Sequence, residues 1–260
     1  LREKGYGDLE GAVRKIGHRK FRKMIEERGI SLEQKPRRLD HLIPFERQYE
    51  ILPEVFQECE LKYFFLGLMS SDGHIISRKN EQAVELCLNK VDVGILEKLR
   101  DRISPDRPIH VKPHKENSDS DAVRFKLSGF DIVSLVGKYM PLYQKSLALT
   151  YPGNIPDEFF RHFLRGVCDG DSNINVKRGQ KVVQRRMKCY YFTRLRILGT
   201  EDFLSGLTKT INRLIGIAPV QVRKKGKENV YQIEYTGQSA DRILEEMYRD
   251  AEFFIERKFR

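Results

Sequence analysis

Tyr63-Phe64-Phe65-Leu66-Gly67-Leu68-Met69-Ser70-Ser71-Asp72-Gly73-His74-Ile75 is an apolar run with a glycine inside it and an aspartate near its end. The chain writes a variant of it as Phe163-Leu164-Arg165-Gly166-Val167-Cys168-Asp169-Gly170-Asp171-Ser172-Asn173-Ile174. Gly67 aligns with Gly166, and Asp72 with Asp171. Each run has the apolar density of a buried helix, and each stops at a small-x-Asp-(Gly/Ser)-x-Ile turn. Internal repetition of this kind bears on architecture more strongly than any single motif.

The stretches after the two runs match as well. The first run leads into a strand-like stretch to Leu88, then a helical period at Val91, Ile95, Leu96 and Leu99. Next is a hairpin over Pro108–Pro113 and Ala122–Ser128, with Val123, Phe125 and Leu127 facing one way and Arg124 and Lys126 the other. Gly129 then opens a helix carrying Ile132, Val133, Leu135 and Val136. The second copy has a strand at Tyr190–Leu198 and a helix with Phe203, Leu204, Leu207 and Ile211. Its hairpin covers Pro219–Arg223 and Asn229–Thr236, and Gly237 opens a helix with Ile243, Leu244, Met247 and Tyr248. Each copy spells αββαββα over roughly a hundred residues. Two such copies are expected to meet about a pseudo-twofold axis, with the Gly67 and Gly166 helices at the interface. Facing glycines let backbones approach closely, which sets Asp72 beside Asp171.

The 260 residues suit one large domain or two medium ones. With 40% hydrophobic and 33% charged residues, the chain can bury a core and is not compositionally disordered. Lys plus Arg number 48 against 37 for Asp plus Glu, a net charge of +11. That excess favours a polyanionic partner, nucleic acid before an anionic membrane surface, although a merely basic enzyme would show it too. No stretch approaches the roughly 20 apolar residues of a membrane span, and the N-terminus has no apolar signal core, so an intracellular protein (cytoplasm, nucleoid or organelle) is expected rather than a secreted one. Cys59, Cys87, Cys168 and Cys189 form no CxxC pair, which argues against a zinc ribbon or disulfide framework and for buried free thiols. HExxH, Walker, GxSxG and Rossmann signatures are absent.

The paired runs resemble the LAGLIDADG homing endonucleases, specifically the single-chain, two-repeat kind. The naming motif is matched by Phe65 to Gly73 and by Phe163 to Ser172. Tyr143-Gln144-Lys145-Ser146, Pro152, Ile155-Pro156-Asp157 and the ending Phe254-Ile255-Glu256-Arg257-Lys258 are also similar to the family. The likeness runs from about Pro44 to the C-terminus. The family's earlier acidic position is Ser70 in the first motif and Asp169 in the second, and its closing glycine is Gly73 and then Ser172. The later acid is kept in both, as Asp72 and Asp171.

The resemblance implies an α+β fold in which two pseudo-symmetric αββαββα repeats, 41–145 and 146–260, form a saddle of two antiparallel sheets. A small α-helical module and linker over 1–40 precede them. It implies a monomeric, Mg2+-dependent endonuclease acting on double-stranded DNA with a long target site, cutting across the minor groove and leaving 3′ overhangs. Mn2+ or Ca2+ would replace Mg2+ for binding. Two other activities of such a fold stay open: a cleavage-inactive, sequence-specific DNA-binding regulator, and an intron RNA maturase.

Phosphodiester hydrolysis needs an activated water, a neutralised phosphate and help for the leaving oxygen, and paired divalent ions supply all three. Mg2+ takes hard oxygen ligands and keeps most of its waters, so one carboxylate per ion plus phosphate oxygens suffices. Asp72 and Asp171 are therefore the expected catalytic and metal-binding acids, with backbone oxygens at Ser71 and Gly170 as further ligands. The competing reading is that each aspartate only caps a turn. The family also places basic or amide groups around its metals. Lys126 is the first copy's candidate for that catalytic role, and Asn89 its amide candidate. In the second copy the hairpin register puts Glu234 there, leaving Lys225 as the basic alternative.

The expected DNA-binding surface lies on one face of each sheet. Between Val176 and Leu198 come Lys177, Arg178, Lys181, Arg185, Arg186, Lys188, Arg194 and Arg196 with no acid among them. The first copy offers Arg78, Lys79, Lys112, His114, Lys115 and Arg124, and the second hairpin adds Arg223, Lys224, Lys225 and Lys227. Asn80, Gln82, Gln180 and Gln184 are candidate base readers, since amides pair with adenine and Arg or Lys with guanine in the major groove. Most of the lysines would meet phosphate, giving salt-dependent affinity.

Ahead of the repeats, Leu9, Ala12, Val13 and Ile16 have helical spacing, Gly17 breaks it, and Phe21, Met24 and Ile25 form a second short apolar face ending at Gly29-Ile30. Arg19, Lys20, Arg22 and Lys23 make that second helix basic. The arrangement is similar to a helix-turn-helix that would touch DNA, or is an ordinary helical hairpin packed on the core. Glu33–Arg38, with Pro36, has the composition of a linker.

Overall fold

The computed structural model describes residues 49–78, 81–112, 121–183, 186–226 and 230–259. The chain divides into two units, Leu1–Arg47 and Gln48–Arg260, and both copies of the repeat lie in the second. The helices and linker expected before residue 40 lie outside the described residues.

The first copy runs α1 (Glu60–Ser71), β1 (Gly73–Arg78), β2 (Glu81–Asn89), α2 (Val93–Ile103), β3 (His110–Lys112), β4 (Ala122–Ser128) and α3 (Phe130–Gly137). A connection carrying the short α4 (Lys145–Ala148) leads to the second copy. There the order is α5 (Phe160–Asp171), β5 (Ser172–Val183), β6 (Arg186–Gly199), α6 (Glu201–Ile215), β7 (Arg223–Lys224), β8 (Tyr231–Thr236) and α7 (Gln238–Tyr248), with a final turn α8 (Glu256–Phe259). The two sheets share one antiparallel topology, β1-β2-β4-β3 and β5-β6-β8-β7. The αββαββα order expected of each copy is what the chain adopts. No helix among the described residues is long and apolar enough to cross a membrane.

Helix α1 is buried on every side from Leu61 to Ser70, which fits an element apolar around its whole circumference. It lies against α5, and the reason is steric. A methyl group on Gly67 would overlap the carbonyl oxygen of Phe163 and stand 3.0 Å from the Gly166 Cα. One on Gly166 would overlap the Phe64 carbonyl oxygen and stand 2.7 Å from the Leu68 nitrogen. Each glycine thus meets the residue three positions before the other, a reciprocal contact as pseudo-twofold symmetry demands.

Helices cover one face of each sheet. Val84, Leu86, Leu88, Val123, Phe125 and Leu127 pack beneath α2 and α3, and Leu195, Ile197, Ile233 and Tyr235 beneath α6 and α7, in one continuous core. Thr200 caps α6 by accepting from the Phe203 amide at 3.3 Å, and Gly216, at φ 72°, ends it. The four cysteines are free thiols, as expected, but only Cys168 is fully buried and Cys189 is exposed. The β5–β6 ladder is also longer than the expected strand at Tyr190–Leu198, pairing from Ser172↔Ile197 out to Val183↔Arg186. Its outer half projects past the helices, which leaves Val176, Met187 and Tyr191 about two-thirds exposed (67%, 65% and 71%).

Candidate active site

Because α1 and α5 pack glycine to glycine in the same register, they end together, and Asp72 and Asp171 come into each other's field. The Gly170 position shows how close this is: a methyl there would overlap Ser71 Oγ and Asp72 Oδ2. Burial, and then the neighbouring Asp171 carboxylate, push the Asp72 pKa up to about 6. Asp171 is raised as well, by burial, with Lys145 and Lys258 pulling it back.

Those two lysines are the cations at the site. Lys145 Nζ donates to the carbonyl oxygens of Met69 (2.8 Å), Ser70 (3.0 Å) and Ser71 (2.8 Å), closing the last turn of α1. Its burial lowers its pKa to about 8, opposed by the Asp171 and Asp72 carboxylates. Lys258 Nζ donates to the Ser172 carbonyl oxygen, one residue past α5, and burial lowers its pKa too. One lysine comes after the last long helix of the first copy and the other after that of the second, so they are counterparts under the same pseudo-symmetry. An ammonium at each helix C-terminus offsets the carbonyl end of the dipole while lying near the acids.

Sequence reasoning put Lys126 in this role. Lys126 instead pairs with Glu81 at 2.7 Å on the open face of the first sheet, and it is not among the charges acting on Asp72 or Asp171. The signal for the right lysines was available, since Lys145 and Lys258 both stand in the flanking stretches that carry the family likeness. Asn89 spends its side-chain oxygen on the Val91 amide at 3.0 Å, capping the turn before α2. Lys225 lies in the β7–β8 connection, where its amide donates to the Val230 carbonyl.

Among the described residues no group of three or more His, Cys, Asp or Glu side chains could hold a metal ion. The donors at the helix ends are two carboxylates and backbone carbonyls, all hard oxygens, with Gly170 letting Ser71 and Asp72 approach α5 closely. That set suits a hydrated Mg2+ completed by further oxygen ligands and does not suit a zinc site. The carboxylate repulsion held in the fold is a second mark of a place for positive charge. The Ser71 carbonyl already accepts from Lys145, so only its second lone pair is available to a cation.

Strand register sorts the expected DNA-binding residues. In the first sheet, Arg78, Lys112, Arg124 and Lys126 share the face turned away from the core, together with His74 and His110. Gln82 alternates to the other face, where it accepts from Ser77 Oγ and donates to the Arg78 carbonyl. In the second sheet, Lys177, Arg194, Arg196 and Arg223 share the open face with Asn173, Asn175 and Gln232. Arg178, Gln180 and Lys224 fall on the opposite face, with Arg178 donating to Cys189 Sγ at 2.9 Å. The expectation of a single basic face is corrected for Gln82, Arg178, Gln180 and Lys224, because strand side chains alternate. The basic run is also less free of acids in space than in sequence. Glu234 lies across from Arg196 and accepts from its Nε and Nη2 at 3.1 and 2.8 Å, and Glu85 stands 3.8 Å from Arg124. Lys181, Arg186 and Lys188 pair through their backbones in the β5–β6 ladder. Lys79, Asn80, His114, Lys115, Gln184, Arg185, Lys227 and the N-terminal Arg19, Lys20, Arg22 and Lys23 lie outside the described residues.

No protein-family model matches the sequence, and no curated protein matches it. Solved structures do. The LAGLIDADG meganuclease I-AabMI bound to uncleaved DNA superposes with a TM-score of 0.50 at 14% identity, over 76% of this chain and 86% of that one. The I-SmaMI LAGLIDADG homing endonuclease bound to cleaved DNA gives 0.50 at 10% identity, over 78% and 86%. A mutant of I-SmaMI gives 0.51 at 13% identity, over 75% and 86%. The fold is therefore the two-sheet saddle of the LAGLIDADG homing endonucleases.

Proposed function

We propose that the chain is a site-specific, Mg2+-dependent double-strand DNA endonuclease with its active site where α1 and α5 end. The observation that carries this reading is the pair Asp72 and Asp171, forced together by glycine packing, partly neutralised by Lys145 and Lys258, and flanked by two sheets with basic open faces. A fold has no structural need for two like charges at its central interface, and their repulsion is a cost that a cation would relieve. The solved neighbours bound to DNA support the choice of partner.

In this reading the Asp72 and Asp171 carboxylates, with carbonyl oxygens near Ser71 and Gly170, hold the divalent ions. When bound, those ions supply an activated water and charge stabilisation at the phosphate. Lys145 and Lys258 keep positive charge beside the carboxylates and offset the incoming phosphate. Arg194, Arg196, Arg223, Lys177, Arg124 and Lys112 track the DNA, with Arg194, Arg196 and Arg124 exchanging their glutamate partners for phosphate oxygens or guanine edges. The module over residues 1–40 extends that contact, and the repeats occupy 41–145 and 146–260.

The test is cleavage selection on a randomised or genomic duplex library in Mg2+, with Asp72→Asn and Asp171→Asn beside the wild type. Wild type is expected to cut a discrete set of long sites, and each variant to lose cleavage while retaining duplex binding. Tight binding without cleavage by the wild type would instead assign a DNA-binding regulator. Preference for structured RNA over duplex would assign a maturase. A variant that still cuts both strands would overturn the metal assignment.

A further inference from the structure

The second repeated helix has an acid, Asp169, where the first has Ser70, and the nuclease reading gives that acid no task. Its carboxylate is buried, and both oxygens are engaged. Oδ1 accepts from the Tyr248 hydroxyl at 2.6 Å, at the end of α7, and Oδ2 accepts from the Ile255 backbone amide at 2.7 Å. Ile255 is the residue from which the last turn starts, its carbonyl accepting from the Lys258 amide at 2.9 Å. Lys258 then reaches the Ser172 carbonyl, next to Asp171. A continuous chain of bonds therefore links Asp169 to the ammonium at the site.

The rest of the segment is held from both copies. Glu60, at the start of α1, accepts from the amides of Glu252 (2.9 Å) and Phe253 (3.1 Å), and Arg165 of α5 donates from Nε to the Phe253 carbonyl at 2.7 Å. Arg257 donates twice to Asp92 of the first copy, at 3.0 and 2.7 Å. The first copy shows why its counterpart of Asp169 can be a serine. Lys145 is fixed by three carbonyls of its own, and Ser70 Oγ simply turns back to the Gly67 carbonyl at 2.7 Å. Lys258 has one carbonyl, so its place is set by the segment that carries it.

We propose that Asp169 is a positioning residue: it clasps the C-terminal segment through Ile255 and Tyr248 and so sets Lys258 beside Asp171. The catalytic consequence rests on the nuclease reading, whereas the clasp does not. The test pairs a lysine footprint with a double-mutant cycle on the full chain. Asp169→Asn keeps the shape but removes the charge, and its one acceptor oxygen can serve the Ile255 amide or the Tyr248 hydroxyl, not both. Acetic anhydride labelling read by mass spectrometry is expected to show Lys258 reacting several-fold faster in this variant, with Lys145 unchanged. On a duplex recovered from the wild-type cleavage selection, the single-turnover rate is expected to fall about tenfold to a hundredfold, while affinity for the same duplex in EDTA holds. In a Lys258→Met background, Asp169→Asn is expected to cost nothing further, because its effect runs through the missing ammonium. Equal losses in both backgrounds, or an unchanged Lys258 footprint, would overturn the proposal. Tyr248→Phe, which removes one of the two bonds and keeps the ring, gives the same directions with smaller size if Asp169→Asn fails to fold. A wild type that cuts no duplex defeats the nuclease reading, and the footprint alone then decides the clasp.

Discussion

Asp72 carries a cost in the metal-free protein that its replacement should remove. Its folded pKa is about 6, above the ordinary 3.8, so the folded state binds a proton more tightly than the unfolded one. The contribution to stability is fully present below pH 3.8 and is lost as the pH rises through about 6. Asp72→Asn, which cannot ionise, should then be more stable than wild type at pH 8 in EDTA, by about 1–2 kcal/mol once partial solvent screening is allowed for. The difference should vanish below about pH 4, as read by urea unfolding across pH. A variant no more stable at pH 8 would mean that burial and the neighbouring Asp171 carboxylate do not penalise the Asp72 charge. The two acids were legible from the sequence because they recur in register. Lys145 and Lys258 were marked only by the family likeness of the stretches that hold them, because no local pattern says that a residue in a connection will fold back onto a helix end 75 or 86 positions earlier.

The contact between α1 and α5 is the element on which the site depends. Gly67→Ala or Gly166→Ala puts a methyl against backbone that cannot swing aside, so the helices must separate. Either change should destabilise the protein by about 3 kcal/mol or more, seen as a lowered melting temperature, whereas a normal melting curve would contradict the close approach. In the strands, alternation governs instead. Lys177 and Arg178 are adjacent in an acid-free run yet project from opposite faces of β5. If the open face meets DNA, Lys177→Ala should reduce the slope of log affinity against log salt by about 0.9, and Arg178→Ala should leave it nearly unchanged. Equal effects would show that the projecting ribbon offers both faces to the nucleic acid. Alternation was readable in β4, where apolar residues mark the core face. It was not readable in β5, whose outer half lies beyond the core, so that exposed apolar residues such as Val176 mark no buried face.

Across the whole molecule the two copies share one core. The buried cluster runs from Val55 through α1, α5 and both sheets to Ile255, without a seam between repeats. The C-terminal segment ties Asp92 and Glu60 of the first copy to Arg165 and Asp169 of the second. Residues 48–260 should therefore unfold in a single transition despite the duplication. Far-ultraviolet circular dichroism and a fluorophore on the exposed Cys189 should give coincident urea midpoints. Separate midpoints would mean that each repeat holds its own stability.

Duplication, the αββαββα order of each copy and the pairing of Asp72 with Asp171 were determined by the sequence itself. Each is written in local periodicity, glycine placement and recurrence, which survive without any knowledge of distant contacts. Tertiary structure alone decided which lysines stand at the acids, which basic residues share a face, and why Asp169 differs from Ser70. Those properties depend on register between strands and on connections folding back over long separations. There a side chain's partner is set by packing geometry rather than by its neighbours in the chain.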